Sequence, residues 1–439
     1  MSYYRVMRAR SWVFLLALFL FVALALPAYS QDGTGTLKEI HAEGLKTLSE
    51  AQVALLSGLQ IGGQVGRKDL QDSADLLLRS GMFAKVSYKF DTHNNDVTLI
   101  FKLEESPRLP VAYDNFPWFD DSELTEAIRK DLPFYDGTLP EGGTVVDLAG
   151  NALASFLTSH GLKAEIQHYV LANPLLDGSE QQFTVTGVTE TIASVEFSDP
   201  TLTDDLAVKQ HLSDVLHKPY SRLTIDVFLA EAIRPIYLQK GYLRAKIGPA
   251  SVHLSGDPNQ KFPEAIPVYV PCTPGPLYHW NSVAWTGNSS LAGDALTQAL
   301  RIKPGDVADG MAIEAGLDRV REAYGHLGYL DAKVDPVAHY DEQAHTVSYT
   351  VGITEGRQYR YHDMTITGMS VPGERMIRDA WPLKPGEIMD KTVFEQFLLQ
   401  LESRRDAIFK DQPIHYETVG HWLQTDPQAG TVDVLLDFK

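Results

Sequence analysis

The sequence has a single cysteine in 439 residues, Cys272 in VPCTPG. One thiol cannot make an intramolecular disulfide, so the fold rests on packed cores even where the compartment is oxidising. Cys272 reads as an unpaired thiol at a loop edge. Basic charge is scarce: 38 Lys and Arg face 57 Asp and Glu, a net charge of −19. That balance argues against nucleic acid or an anionic lipid surface as the main partner, so membrane contact is expected only through partners. Long hydrophobic runs are missing apart from Trp12–Leu26. This run follows Arg5, Arg8 and Arg10 and precedes Pro27, Ala28, Tyr29 and Ser30. A basic segment, a short apolar segment and a small-residue cut site make residues 1–30 a secretory signal peptide, with an uncleaved signal anchor as the alternative. No cysteine stands near the cut, which argues against a lipid anchor on this chain.

Catalytic signatures are missing too. There is no HExxH zinc motif, no GxxxxGK[ST] phosphate loop and no GxSxG elbow. The 14 histidines are scattered, and His279, His326, His345 and His362 share no metal-ligand spacing. No metal, cofactor or enzymatic activity is expected. Asp120-Asp121 and Asp204-Asp205 read as helix openings, where the macrodipole favours carboxylates. Phe116, Trp118 and Phe119 read either as core of their own domain or as a partner patch.

What is present is a repeat. Glycines follow helical apolar stripes at Gly81 (LLLRSGMFAKV), Gly161 (FLTSHGLKAEI), Gly241 (YLQKGYLRAKI) and Gly328 (YGHLGYLDAKV), about eighty residues apart. Ile313, Leu317, Val320, Tyr324 and Leu327 form one such stripe. Each glycine suits a left-handed cap at a helix-to-strand corner. A polar turn and a strictly alternating strand follow, as in Val97, Leu99, Phe101, Leu103, in Val347, Tyr349, Val351, Ile353, and in Val432, Val434, Leu436, Phe438. Ahead of the helices lies another strand ending in Gly44, Gly287 or Gly368. Thr47 and Glu50 are expected to form a capping box after the first of these. Pro235 falls inside a helix and should kink it or shift its phase. The unit is strand, helix, helix, strand, strand, a two-layer α+β module. Five are expected: 37–105, 106–188 (divergent), 189–273, 274–355 and 356–439, in an elongated array.

With Gly-Tyr-Leu at Gly241 and Gly328, and with joins in which a Gly is followed by a Tyr (TPGPLYHW from Thr273, TEGRQYRY from Thr354), this pattern resembles tandem POTRA domains. Such domains form the periplasmic part of outer-membrane β-barrel assembly factors. Members of that family usually carry a C-terminal barrel; here the sequence ends with the last strand of module five, and no barrel is expected from it. The resemblance implies a periplasmic scaffold associated with the outer membrane. Its implied partners are unfolded outer-membrane protein precursors, or a separate barrel or lipoprotein assembly partner. A truncated barrel assembly factor and an envelope adaptor with one fixed partner are the alternatives. The resemblance further implies that the strand after each corner glycine is a docking edge for extended chains. These strands are 85–90, 243–247 and 330–334, represented by Lys85, Val86, Ser87 and Tyr88, by Leu243, Arg244, Ala245 and Lys246, and by Leu330, Asp331, Ala332 and Lys333.

Overall fold

The computed structural model describes residues 35–439 except 176–177, 253, 255–261, 404 and 410–413. The signal peptide read at 1–30 lies outside the described residues, as does most of the polar turn expected from Leu254. The chain divides into two compact units, residues 1–109 with Thr138–Leu148, and Pro110–Gly137 with Ala149–Lys439.

Module four shows the repeat most plainly. Its first strand, His279–Thr286, runs parallel to the third, Thr346–Thr354, and the second, Lys333–Asp341, pairs antiparallel to that third strand. The third strand is therefore central, and the first and second are the two edges. Alternation places Val347, Val351 and Ile353 on the face covered by the helices Gly293–Leu300 and Gly310–His326. Ile313, Leu317, Val320 and Tyr324 close that core from the helix side, as their spacing requires. Module five repeats the order with strands Arg360–Thr367, Thr431–Phe438 and Val419–Asp426. In module one Gly35–Glu43 pairs parallel to Asp96–Glu105, and Phe83–His93 lies antiparallel on its other side.

Module three departs from the pattern. Its second strand is broken into Lys246–Ile247, paired with Cys272–Thr273, and Ser251–Val252, paired with Val268 and Tyr269. Gly248 and Pro249 sit in the gap, and proline cannot donate to a ladder. The helix holding Pro235 shifts phase as expected. A π-helical turn, Leu229–Ile233, separates the helices Arg222–Phe228 and Arg234–Gln239, absorbing the missing N–H of the proline.

The capping expectation at Thr47 needs correction. The first helix of module one, Glu50–Ser57, is capped by Ser49 with Gln52 in the reciprocal position. Thr47 is drawn off by Glu105, at the end of the third strand. That carboxylate accepts the N–H of Lys46 at 2.8 Å, of Thr47 at 3.0 Å and of Leu48 at 3.0 Å. Burial pushes the Glu105 carboxyl up, but the Thr47 hydroxyl and these N–H groups outweigh it and hold it at about 2. Glu50 instead accepts the N–H of Ala42 at 2.9 Å.

The joins between modules are built on the corner glycines. Gly241 and Gly328 both have left-handed backbone, with φ of 82° and 81°. The Tyr278 N–H donates to the Gly241 carbonyl at 2.9 Å, and the Tyr278 carbonyl accepts from Ala308 at 3.0 Å. One module further on, the Tyr359 N–H donates to the Gly328 carbonyl at 2.8 Å, and its carbonyl accepts from Met389 at 3.0 Å. Both tyrosine rings are fully buried. A Cβ on Gly241 would stand 3.0 Å from the Tyr278 carbonyl oxygen, and one on Gly328 would stand 2.8 Å from that of Tyr359. The corner glycine thus both caps a helix and seats the next module.

Gly161 has the same backbone, with φ of 97°, but nothing lies within 4 Å of a Cβ built on it. Module three seats elsewhere, on the Asp114-Asn115 turn of module two. The Asp114 carboxylate accepts from Ser221 Oγ at 2.9 Å and from the Leu223 N–H at 3.1 Å. Arg222 pairs with Asp121 at 2.5 Å. Phe116 is core, whereas Trp118 and Phe119 are half-buried and meet Phe262 of module three at ring distances of 5.7 and 6.1 Å.

Candidate polypeptide-binding edges

A polypeptide added as a strand needs unpaired backbone at a sheet edge, so the candidate edges are the second strands that keep an open side. In module one Phe83–His93 is terminal in its sheet. Among the described residues it pairs inward alone, with Lys85 opposite Glu104, Val86 opposite Leu103, Ser87 opposite Lys102 and Tyr88 opposite Phe101. These four expected site residues therefore lie on an edge strand. Lys85 and Glu104 form an exposed cross-strand ion pair at 2.7 Å, each holding the other in its charged form.

The expected residues of modules three and four fall differently. Only Lys246 and Lys333 stand on strands. Leu243, Arg244 and Ala245, and likewise Leu330, Asp331 and Ala332, lie in the turn before the strand. Those turns face the following module. Leu243 packs against the core of module four and Leu330 against that of module five. Arg244 pairs with Glu342 and lies 5.4 Å over the Tyr340 ring. Asp331 accepts from the Tyr359 hydroxyl at 2.6 Å, which raises the tyrosine pKa. The placement of these six residues on edge strands is corrected: Leu243, Arg244, Leu330 and Asp331 are engaged in the joins, and Ala245 and Ala332 pack on the cores of their own modules.

The sequence reading passed over another edge. In module two Glu165–Asn173 is terminal in its sheet and pairs with Gly178–Thr186. It exposes three consecutive apolar residues, Tyr169 at 47%, Val170 at 36% and Leu171 at 37%. The signal is the stretch EIQHYVLAN, which begins four residues after Gly161. The second strands of modules four and five also end their sheets and expose Val337 and Trp422.

Among the described residues no group of three His, Cys, Asp or Glu is placed to hold a metal, and no helix is long and apolar enough to cross a membrane. Cys272 is buried, and burial pushes its thiol pKa up.

Residues 278–356 match the POTRA family, described as a surface antigen variable number repeat. This stretch is a POTRA domain. It begins at the seating tyrosine and covers module four, and the same strand and helix order in the other modules makes the chain a series of POTRA-like modules. A 219-residue stretch, 48% of the chain, is 26% identical to a Treponema pallidum (strain Nichols) protein described as "Putative outer membrane protein assembly factor". The match spans 24% of that relative's length. Among solved structures, POTRA3-5 of BamA from Haemophilus influenzae is 19% identical with a TM-score of 0.45, covering 57% of this chain and 96% of that one. The N-terminal domain of Omp85 from Thermosynechococcus elongatus is 11% identical with a TM-score of 0.19, covering 73% and 97%.

Proposed function

We propose that this chain is a periplasmic scaffold in outer-membrane protein assembly, which holds extended polypeptides by adding them as strands to the open second-strand edges of its POTRA-like modules. The observation that carries the reading is the terminal second strand that recurs from module to module, together with the POTRA match and the assembly-factor relative. Strand addition draws affinity from main-chain hydrogen bonds, so it tolerates many guest sequences. Several such edges on one chain give a weak guest high effective concentration. Phe83–His93 of module one and Glu165–Asn173 of module two are the principal edges. The first offers eleven residues, and the second adds the exposed Tyr169, Val170 and Leu171. The guests are unfolded outer-membrane protein precursors or an extended segment of a separate barrel or lipoprotein partner. No catalytic step is assigned.

The test is site-specific photocrosslinking on the whole chain. A photoreactive residue is placed at Ser87, Lys89, Gln167 and Tyr169, with Leu148 and Leu399 on helices as controls. Unfolded barrel segments of several sequences should crosslink at the four strand positions and not at the helices. Crosslinking only at the helices overturns the reading. Tight capture of one segment with no reaction toward the others replaces the scaffold by an adaptor.

A further inference from the structure

Three joins occupy one register position. Immediately before the first strand, Glu190, Tyr278 and Tyr359 each give their carbonyl to a later N–H, of Tyr220 at 2.9 Å, Ala308 at 3.0 Å and Met389 at 3.0 Å. The next residue of each makes the same isolated bridge, Thr191 to Pro219, His279 to Val307 and Arg360 to Ile388. Each stands three residues after a left-handed glycine, Gly187, Gly275 or Gly356. Where modules four and five place a buried tyrosine, module three places a carboxylic acid.

We propose that the join between modules two and three is locked by acid: it closes on a neutral Glu190 side chain and loosens when that carboxyl ionises. Glu190 is only 5% exposed. One oxygen accepts from the Asn115 amide at 2.5 Å, and the other has no hydrogen-bond partner. Asn115 has no further donor to give, since its amide also donates to the Val185 carbonyl at 2.9 Å. Among the described residues no cation pairs with Glu190. From the module two turn Glu190 faces Asp114, itself a carboxylate. Arg222 pairs with Asp121 at 2.5 Å and also bonds the Tyr220 side chain and attracts Asp226, not Glu190. Lys218 and His217, on the segment that brings Tyr220 to Glu190, are exposed. Glu180 on the central strand of module two and Asp226 on the helix of module three add negative charge to the same join. Burial pushes the Glu190 carboxyl up, against the Asn115 bond and the residue's own backbone N–H, and Asp114 adds to the rise. Burial raises Asp226 as well, against the attraction of Arg222, with Glu180 and Asp114 adding to the rise. A raised carboxyl favours the closed join at low pH and withdraws that support as pH rises through its value. The proposal does not depend on polypeptide binding.

Spin labels at K130C and Q210C, in a C272S background of the whole chain, read the join by electron-electron distance. A narrow distance distribution is expected at pH 4.5, broadening toward pH 8. In E190Q it should stay narrow at both, and in D226N it should still broaden. A pair at E322C and K384C, across modules four and five, should not respond. An unchanged distribution in the natural protein, a response that persists in E190Q, or one that is lost in D226N with E190Q still responding, overturns the proposal.

Discussion

The join between modules four and five and the join between modules two and three solve one problem with different chemistry. In the first, the buried Tyr359 bridges the corner glycine and the loop ahead of the next helix through its own backbone, and its hydroxyl reaches Asp331. In the second, the corner glycine stands clear, the contact moves to the Asp114-Asn115 turn, and a buried carboxyl replaces the ring. The first join buries a tyrosine ring and satisfies its polar groups, with Asp331 on the hydroxyl and Asp390 on His326; the second gathers acids around Arg222. Repeated topology therefore does not imply repeated coupling: one backbone register is kept at the three joins while the side chains around it differ.

The comparison breaks most directly at the tyrosine. Tyr359→Ala removes a fully buried ring from the core of module five and should cost about 3–5 kcal/mol. Urea unfolding together with hydrogen exchange in that core measures the loss. If the cost is under about 1 kcal/mol, the ring does not hold the join. Gly241→Ala and Gly328→Ala come next. Each must hold alanine at positive φ, about 1–2 kcal/mol, and must also displace the next module's backbone, adding about 1–3 kcal/mol. Gly161→Ala should carry only the first of these. Equal losses at all three glycines would erase the distinction between the joins.

Glu105 sharpens the contrast with Glu190, since the two carboxyls shift in opposite directions. Held at about 2, Glu105 stabilises module one above its unfolded value of about 4.5, and that support disappears as pH falls from there toward 2. Glu105→Gln should cost about 1–2 kcal/mol at neutral pH, discounted for partial exposure, and nothing near pH 2. Acid titration of the module one unfolding midpoint measures this. The smallest effect belongs to Arg244, whose pair with Glu342 is exposed at both ends. Arg244→Ala should move the thermal unfolding midpoint less than any of the other substitutions.

The repeat was legible in the sequence because its signals are local. Corner glycines end helices, and alternating strands such as Val432, Val434, Leu436 and Phe438 bury one face. Pro235 announced a change of helical phase that the structure resolves as a π turn. What escaped was set by distant residues. Leu243 and Leu330 read as strand because they are apolar in an alternating run, yet the surface that buries them belongs to the following module. Thr47 has the spacing of a cap, but Glu105, which captures it, is 58 residues away. Glu190 lay in plain view three residues after Gly187, in the place tyrosine holds twice. Its significance needed the register of all three joins.

The most direct test of the account is hydrogen exchange of the whole chain with and without a saturating unfolded barrel segment. The account predicts new protection along Phe83–His93 and Glu165–Asn173, with little change in the broken strand of module three. Protection confined to helices, or none on any second strand, would contradict strand addition as the way this chain holds its guests.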